Sequence, residues 1–599
     1  MFASCLHELA YWVDPAWVSG TIPPELCGTY YRNGPGLQVT NPRYRRHTLD
    51  GDGMVFSLAF SGGRAYFRNR FVRTQGFVAE QAAGRPLFRN SFTRGAADGS
   101  RRFNPFDLRF KNVANTGVLP WAGQLYALWE AGLPYRMDPD SLDTHEETRM
   151  GGQIRGNNFS AHYHVLPDQP PSPSGRGDRV AQAWARAQQQ EEQRAARQRQ
   201  GAAQAASQGQ GAAEAEAGPK RLVTFSNEFG FGGAKAVFFE FDEAGRLILE
   251  TEHSLPGVDI AILHDMLVTE HWYGLIVGPI TLQPAKFASQ YMLGRCSIAE
   301  CLVFDEAKPT RIMFFPRPGR PSGKALKPVV LEAEPFFAFH NVNAYEREGG
   351  QVVVADTVAW DCVNFDLEIY DRDCKRTDGF EGGARAHLTR LTCDLRRGSV
   401  RRQKLLQRTV EFPAKDPRVA ARPHRVGWFI ADAVDDPVLW GPAQSLVRVE
   451  LPEDPAGERE AAAAERPGAA GSRSLLAPPR RAAGAALGAA AGAAAGVAVD
   501  EFYLGDRTFP GEPMFIPKPG SAREGEGWLL VGVHDAGTEK GDVHIFDAEA
   551  LSAGPLATIH LPHRLPVSLH GAWDPTYRGP DPADAAVPRW SEVGSARPL

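Results

Sequence analysis

Short runs of β-branched and aromatic residues, each ended by a turn, recur along most of the chain. Examples are "RLVTFSNEFG" (221–230), "KAVFFEFDEAGRLILETEHSL" (235–255), "DMLVTEHWYGLIVGPI" (265–280), "QVVVADTVAW" (351–360) and "GWLLVGVHD" (527–535). Such runs, bounded by Gly, Pro and Asp, predict strands, and the turn near Asp242 to Gly245 predicts a hairpin. Long amphipathic helical patterns are scarce. Many short strands over roughly 500 residues favour an all-β propeller, which closes without leaving long exposed edges.

Two segments interrupt this pattern. Residues of about 169–219 contain "AQQQEEQRAARQRQGAAQAASQGQ", and residues of about 453–500 contain an Ala- and Gly-rich tract. Neither has the large apolar residues that form a buried core, so both are interpreted as low-complexity insertions. The uncharged stretch at 482–499 is long enough to span a bilayer, but Ala and Gly contribute little transfer energy. We therefore interpret it as part of the second insertion.

Composition excludes several classes of function. The chain has 599 residues, 43% hydrophobic and 23% charged, with a net charge of −5, so a nucleic-acid partner is not expected. Seven cysteines are scattered singly without a Cys-x-x-Cys pair, which fits a reducing compartment. The N-terminus has no secretory or transit pattern. A soluble or peripheral protein of the cytoplasm is expected, or one of the plastid if translation begins upstream.

Four of the sixteen histidines share one feature. Each begins or ends an apolar, strand-like run beside Asp, Asn or Gly: His162, His264, His340 and His570. Taken singly, such a histidine is more often a hydrogen-bonded core residue than a ligand. In a propeller, however, the inner ends of successive blades converge on one axis, where four neutral imidazoles could hold Fe, Zn, Cu or Ni.

Three glutamates lie in apolar stretches of sequence where a surface carboxylate is not expected. These are Glu130 in "LYALWEAGLPY", Glu411 in "TVEFPAKDP" and Glu512 in "PGEPMFIP". Each alone could be a solvated turn residue. Together they could supply the acidic partners that four neutral imidazoles around a cation require.

Several ordered motifs resemble one known family, the carotenoid cleavage oxygenases. The chain is similar to its carotenoid and apocarotenoid dioxygenases, its stilbene-cleaving members and proteins like the retinal pigment epithelial membrane protein, and above all to bacterial-type apocarotenoid oxygenases. The motifs, which span nearly all of the sequence outside the insertions, are "GTIPPELCGTYYRNGPG" (20–36), "HTLDGDGMV" (47–55), "KNVANTGVLPWAGQLYALWEAGLPY" (111–135), "LPGVDIAILHDMLVTEHW" (255–272), "FHNVNAYE" (339–346), "EFPAKDP" (411–417), "GEPMFIP" (511–517) and "SLHGAW" (568–573).

The resemblance implies a fold and a metal site. Residues 1–599 would form one seven-bladed β-propeller domain, interrupted by the two insertions and covered by a helical and loop dome. Carried over motif by motif, Fe(II) would be held on the axis by the four histidines. Glu130, Glu411 and Glu512 would back His264, His340 and His570 respectively. Thr116 matches a residue that in the family crowds an open coordination position.

Two details stay open in the sequence. The family commonly has a proline after the first histidine, but here Tyr163 and His164 follow His162, and His164 points to the same side of a strand as His162. His164 is therefore a physical competitor, although the alignment favours His162. The substrate tunnel could be lined by Trp129, Phe336, Phe337 and Phe339, depending on which strand face points inward.

The resemblance implies an oxidoreductase, an Fe(II)-dependent dioxygenase that uses O2 to cleave one conjugated C=C bond of a carotenoid or apocarotenoid into two carbonyl products. A stilbene-cleaving dioxygenase and a non-catalytic carotenoid-binding propeller remain alternatives, as do an isomerohydrolase and a zinc hydrolase. Uptake of such an apolar substrate would involve peripheral membrane contact.

Overall fold

A computed structural model describes ten stretches of the chain: residues 4–41, 44–93, 103–167, 220–230, 233–258, 262–319, 327–363, 385–433, 443–452 and 497–584. The predicted insertions at 169–219 and 453–500 lie outside them, except for residues 497–500, the last three of which begin the strand Ala498–Tyr503. Within these stretches, every helix is too short or too polar to cross a bilayer.

The described strands form antiparallel sheets that correspond to seven blades. In order from the outer to the inner edge, blade 1 contains β1 (Ala10–Trp12), β7 (Arg64–Phe71), β6 (Asp52–Ser61), β3 (Gly28–Leu37) and β34 (Gly571–Asp574). Blade 2 contains β11 (Thr144–Glu147), β10 (Tyr135–Met137), β9 (Gln124–Leu128) and β8 (Gly117–Trp121). Blade 3 contains β15 (Leu247–Leu255), β14 (Gly233–Phe241), β13 (Lys220–Gly230) and β12 (His164–Pro167). Blade 4 contains β21 (Val329–Ala333), β20 (Thr310–Pro316), β17 (Trp272–Val277) and β16 (Leu267–Val268).

Blades 5 and 6 share one long strand, β25 (Ser399–Ala414). Its first part is the outer strand of blade 5, which continues inward with β24 (Ala386–Asp394), β23 (Val352–Trp360) and β22 (Phe337–Arg347). Its last part is the inner strand of blade 6, whose other strands are β26 (Val426–Asp432), β27 (Ala443–Glu450) and β28 (Ala498–Tyr503). Blade 7 contains β2 (Val18–Gly20), β33 (Ala557–His560), β32 (Lys540–Asp547), β31 (Gly527–Asp535) and an inner strand broken into β29 (Thr508–Pro510) and β30 (Met514–Pro517).

A separate buried hydrophobic cluster fills each interface between consecutive blades. Residues from the two blades that share each cluster, from interface 1/2 round to 7/1, are Tyr31 and Val118, Trp121 and Phe239, Phe238 and Tyr273, Phe314 and Val353, Leu388 and Phe429, Trp428 and Phe515, and Ile545 and Phe67. Because the seventh cluster joins the last blade to the first, the blades form a closed ring. The predicted seven-bladed, all-β propeller is confirmed.

The two ends of the described chain close the ring. β34 near the C-terminus pairs with β3 near the N-terminus, with Arg32 opposite Gly571. The N-terminal segment crosses the same seam, since β1 is the outer strand of blade 1 and β2 pairs with β33 of blade 7. Hydrogen bonds between sequence-distant strands therefore hold the ring shut.

Helices and loops cover one face of the ring. They include α1 (Gln75–Ala83), α2 (Pro284–Lys286) with the wider turn Phe287–Tyr291 that continues it, and the small ribbons β4 (Val39–Asn41) with β5 (Tyr44–Arg45) and β18 (Ile280–Leu282) with β19 (Leu302–Phe304). Short 3-10 turns lie at Pro15–Trp17, Thr48–Asp50, Ala299–Cys301, Pro417–Val419, Leu551–Ala553 and Pro582–Asp584. Phe92, Ile280 and Ala299 from this dome pack with Phe337 and Phe339 of β22.

We expect Trp428→Ala to weaken the ring strongly at the interface of blades 6 and 7. The Trp428 ring is fully buried, stacks on Phe515 with 4.6 Å between ring centroids, and donates its Nε1–H to the Ala548 carbonyl at 2.9 Å. Removing a buried ring of this size costs about 3–5 kcal/mol of unfolding free energy, measurable by urea denaturation. Trp428→Phe keeps the stacking and should cost clearly less. Equal losses in the two variants would contradict the packing argument.

Candidate metal centre

Each of the seven blades brings one polar residue to the inner edge of its sheet, at or just before the innermost strand. In blade order from 1 to 7 these residues are His570, Thr116, His162, His264, His340, Glu411 and Glu512. His570 and Thr116 directly precede β34 and β8, while His340 and Glu411 lie within β22 and β25. One position, repeated around the ring, therefore supplies the four histidines, two of the glutamates and the threonine singled out in the sequence.

The four predicted histidines converge on one point. One imidazole nitrogen from each lies within 4.8 Å of the corresponding atoms of the other three. The Nε2 atoms of His162 and His264 are 3.0 Å apart, and those of His340 and His570 are 3.4 Å apart. His340 and His570 are buried, and His162 and His264 are half-buried.

Three of these rings have a carboxylate behind them. Glu411 Oε2 accepts from His340 Nδ1 at 2.5 Å, Glu512 Oε1 accepts from His570 Nδ1 at 2.9 Å, and Glu130 Oε2 accepts from His264 Nδ1. The family resemblance implies the same three pairings. A carboxylate at Nδ1 fixes the proton on that atom, so the lone pair of Nε2 faces the centre of the cluster.

This donor set fits a divalent transition metal. The Nε2 atoms of His340 and His570, both unprotonated because their Nδ1 atoms carry the proton, face each other at 3.4 Å and repel one another, and a shared cation removes that repulsion. Imidazole nitrogen suits Fe, Zn, Cu and Ni. The cluster can therefore hold one metal ion on the propeller axis.

The titration of the surrounding groups follows from burial and from their partners. Burial lowers the pKa of His162 and His570 well below the ordinary value, which keeps these imidazoles neutral. Burial alone would raise the pKa of Glu130 and Glu411, but their histidine partners outweigh it and lower the pKa of both. The opposite balance holds at His340, where Glu411 raises the pKa against the effect of burial.

Glu512 differs from the other two carboxylates because it also binds the buried guanidinium of Arg32. The Arg32 guanidinium donates to Glu512 Oε2 at 2.6 Å and to the Leu569 carbonyl at 3.0 Å. Burial raises the pKa of Glu512, and the charge of Arg32 opposes that rise. With a divalent cation in place, the formal charges of the metal, the three glutamates and Arg32 cancel.

A β-bulge aims the residues around His340 in different directions. The register between β22 and β23 shifts between Ala338 and Asn341. Ala338 enters the core between blades 4 and 5, whereas His340 joins the cluster on the axis. Bulges are common next to active sites because they re-aim a side chain without ending the strand.

The candidate tunnel residues fall into different environments. Phe337 and Phe339 contact each other edge to face, with 4.7 Å between ring centroids, and Phe339 approaches His264 at 5.5 Å. Phe336 lies in the core between blades 4 and 5 instead, where the Arg402 guanidinium covers its ring. Trp129 is buried next to Glu130.

His164 and Thr116 occupy neighbouring but different positions. His164 Nε2 donates to the Met266 carbonyl at 2.9 Å, and the cluster contains His162 instead. The backbone carbonyl of Thr116 accepts from the His570 N–H at 3.1 Å, so Thr116 lies beside the cluster. His164 is held by backbone, which leaves His162 as the candidate ligand from blade 3.

Three further residues complete the site. Trp360 Nε1 donates to Glu411 Oε1 at 2.7 Å, and its ring meets Phe339 edge to face. Phe412 packs its ring on His340 and His570, at 5.1 and 5.4 Å. Arg32 lies in "YYRNGPG", one of the motifs that carry the family resemblance, but nothing local marks it as a partner of Glu512. Trp360 ends an ordinary strand pattern, so its contact with Glu411 could not be found from sequence.

Known proteins are similar to this chain in sequence and fold over nearly their whole length. The family model described as retinal pigment epithelial membrane protein matches residues 2–172 and 194–575. Apocarotenoid-15,15'-oxygenase of Synechocystis sp. is 29% identical over 95% of this chain and 94% of its own, and lignostilbene-alpha,beta-dioxygenase isozyme III of Sphingomonas paucimobilis is 26% identical over 93% and 92%. The crystal structure of cobalt-substituted Synechocystis apocarotenoid oxygenase superimposes with a TM-score of 0.73, at 28% identity and coverage of 96% of this chain and 97% of that one.

We expect Glu411→Gln to weaken metal binding by about 10- to 100-fold, because the Nδ1–H of His340 loses its anionic acceptor. Cobalt(II) titration followed by visible absorption measures the affinity. Glu450→Gln, on an exposed strand end, is the matched control and should leave it unchanged. Equal affinities for Glu411→Gln and wild type would contradict the role assigned to the carboxylate.

Proposed function

Because the chain belongs to the retinal pigment epithelial membrane protein family, we propose that it is a non-haem Fe(II)-dependent dioxygenase. Its substrate is a carotenoid or apocarotenoid, of which one conjugated C=C bond is cleaved with O2 to give two carbonyl products. The observation that carries the proposal is the convergence of four histidines, three of them backed by glutamates, beside an apolar cluster of aromatic rings.

The metal and the protein have separate tasks. Bound Fe(II) supplies the activation of O2, a redox task that zinc does not perform. His162, His264, His340 and His570 hold the ion, and the glutamates fix three of the rings. Thr116 of blade 2, whose backbone carbonyl accepts the His570 N–H, would lie beside the bound ion.

The aromatic cluster binds and orients the substrate. Phe337, Phe339 and Trp360, with Phe92 and Ile262 from the dome side, make an apolar wall next to His264. Such a wall excludes water and holds a long polyene at a fixed position relative to the metal, so its shape selects the bond that is cleaved. Aromatic ring faces also stabilise cationic character that develops along the polyene.

The choice of a carotenoid over a stilbene rests on the relatives. The relative with 29% identity is named for an apocarotenoid, and the one with 26% identity for a lignostilbene. A hydrophobic wall suits a polyene without polar groups at its centre. A stilbene carrying phenolic hydroxyls remains the second candidate.

Product analysis tests the activity. Fe(II)-loaded protein, incubated in air with β-carotene, several apocarotenals or a hydroxystilbene, is expected to convert at least one polyene into paired carbonyl fragments whose masses identify the bond. Liquid chromatography with mass spectrometry detects them. His340→Ala, which lacks one of the four imidazoles, should give none.

Other outcomes separate the alternatives. Cleavage of the hydroxystilbene alone would transfer the proposal to the stilbene class. Intact polyenes that co-purify with iron-loaded protein would replace it with a carotenoid-binding role. Activity that requires zinc and no O2 would replace it with a hydrolase.

Peripheral membrane contact would deliver such a substrate. Phe106 and Leu108, in a dome loop, expose 68% and 53% of their surface. The loop is tied to the segment after α2, because the Phe106 N–H donates to the Met292 carbonyl at 2.7 Å. Two exposed apolar side chains on a held loop are suited to insertion at a lipid surface.

We expect the double variant Phe106→Asp, Leu108→Asp to float with phosphatidylcholine vesicles clearly less than wild type, because charge at these positions opposes insertion. Vesicle flotation measures the bound fraction. Ile248→Asp is the matched control, since Ile248 is 44% exposed on the outer strand of blade 3. If this control lost binding as strongly as the double variant, the dome loop would not be the contact.

A further inference from the structure

A fourth carboxylate, Asp265, lies at the inner edge of the ring, directly after His264 in the chain. Its Oδ2 accepts the backbone N–H of Asn341, the residue after His340, at 2.7 Å, and its Oδ1 accepts the N–H of Met266 at 2.7 Å. Asp265 is buried. One carboxylate therefore ties the segment before β16 that carries His264 to β22, the strand that carries His340.

The same carboxylate reaches the blade of the first histidine. His164 Nε2, two residues after His162, lies 3.7 Å from Asp265 Oδ1 and donates to the Met266 carbonyl at 2.9 Å. Ser160 adds a second link, since its Oγ accepts the His162 N–H at 3.0 Å and lies 3.5 Å from the His264 carbonyl. These contacts join blades 3, 4 and 5 next to His162, His264 and His340.

Asp265 also adds charge to the site. Both of its carboxylate oxygens accept backbone N–H groups, as an ionised carboxylate, which is an acceptor only, does. The buried ammonium of Lys415 opposes this charge: burial lowers the pKa of Lys415, and Coulomb attraction to Asp265 raises it.

We propose that Asp265 is a positioning residue for the metal centre, which sets the spacing of three of the four histidines and strengthens cation binding through its charge. This inference rests on the proposed metal site. Asp265 contacts backbone N–H groups and the imidazole of His164, which is outside the cluster, so it acts on the four histidines indirectly. Its isostere Asn would replace one acceptor by an N–H₂ group facing a backbone N–H, and would remove the charge.

Cobalt(II) titration of the full chain tests the proposal. Asp265→Asn should bind cobalt(II) about 10- to 100-fold more weakly than wild type, and its visible d–d bands should shift because the histidines change their geometry. Glu240→Gln is the matched control. Glu240 is another buried carboxylate between blades 3 and 4, bound to Tyr273 and Arg317, but it lies on β14, away from the inner edge. We expect it to lower the thermal midpoint yet leave cobalt affinity within about two-fold and the bands unchanged.

A second variant keeps the test decisive if Asp265→Asn does not fold. Lys415→Met removes the counter-charge of Asp265 and should bind cobalt(II) more tightly than wild type. Unchanged affinity and bands in Asp265→Asn, or weaker binding in Lys415→Met, would overturn the role of Asp265 while leaving the metal site intact. Failure of the wild-type protein to bind cobalt(II) would overturn both proposals.

Discussion

Closure of the ring is the constraint on which the rest of the structure depends. The innermost strands of the blades meet at one axis only because β34 pairs with β3 and a hydrophobic core joins blade 7 to blade 1. His570 lies at this seam, since the Leu569 N–H donates to the Asn33 carbonyl and the Asn33 N–H donates to the His570 carbonyl. The fourth histidine is therefore held at the seam that closes the ring.

Charge balance at the axis follows from the same geometry. Four neutral imidazoles leave the charge of a divalent ion uncompensated, and an enclosed site makes that costly. Glu130, Glu411 and Glu512 supply the negative charge through the histidines, and Arg32 reduces the excess. Because Arg32 comes from β3 of the closing seam, ring closure and the electrostatics of the centre depend on the same strand.

The sequence predicts those parts of the site that a local pattern of residues marks. Histidines beside turn residues at strand ends, such as His264, are visible because an imidazole stands out in an apolar run, and the family resemblance supplied the glutamate partners. The sequence marks Asp265 only as a turn residue beside His264, because its partner Asn341 is brought to it by the neighbouring blade. The sequence equally gives no sign of the bulge at Ala338 to Asn341. The directions of Phe336, Phe337 and Phe339 therefore become clear only from the pairing of β22 with β23.

The central claim is that four imidazoles from blades 1, 3, 4 and 5 bind one iron ion on the propeller axis. X-ray absorption at the iron edge of the Fe(II)-loaded protein measures this directly, because the multiple-scattering signal counts coordinated imidazoles. The account predicts one iron per chain with four imidazole ligands, falling to three in His340→Ala. An iron bound by fewer imidazoles, or bound directly by a glutamate carboxylate, would contradict it.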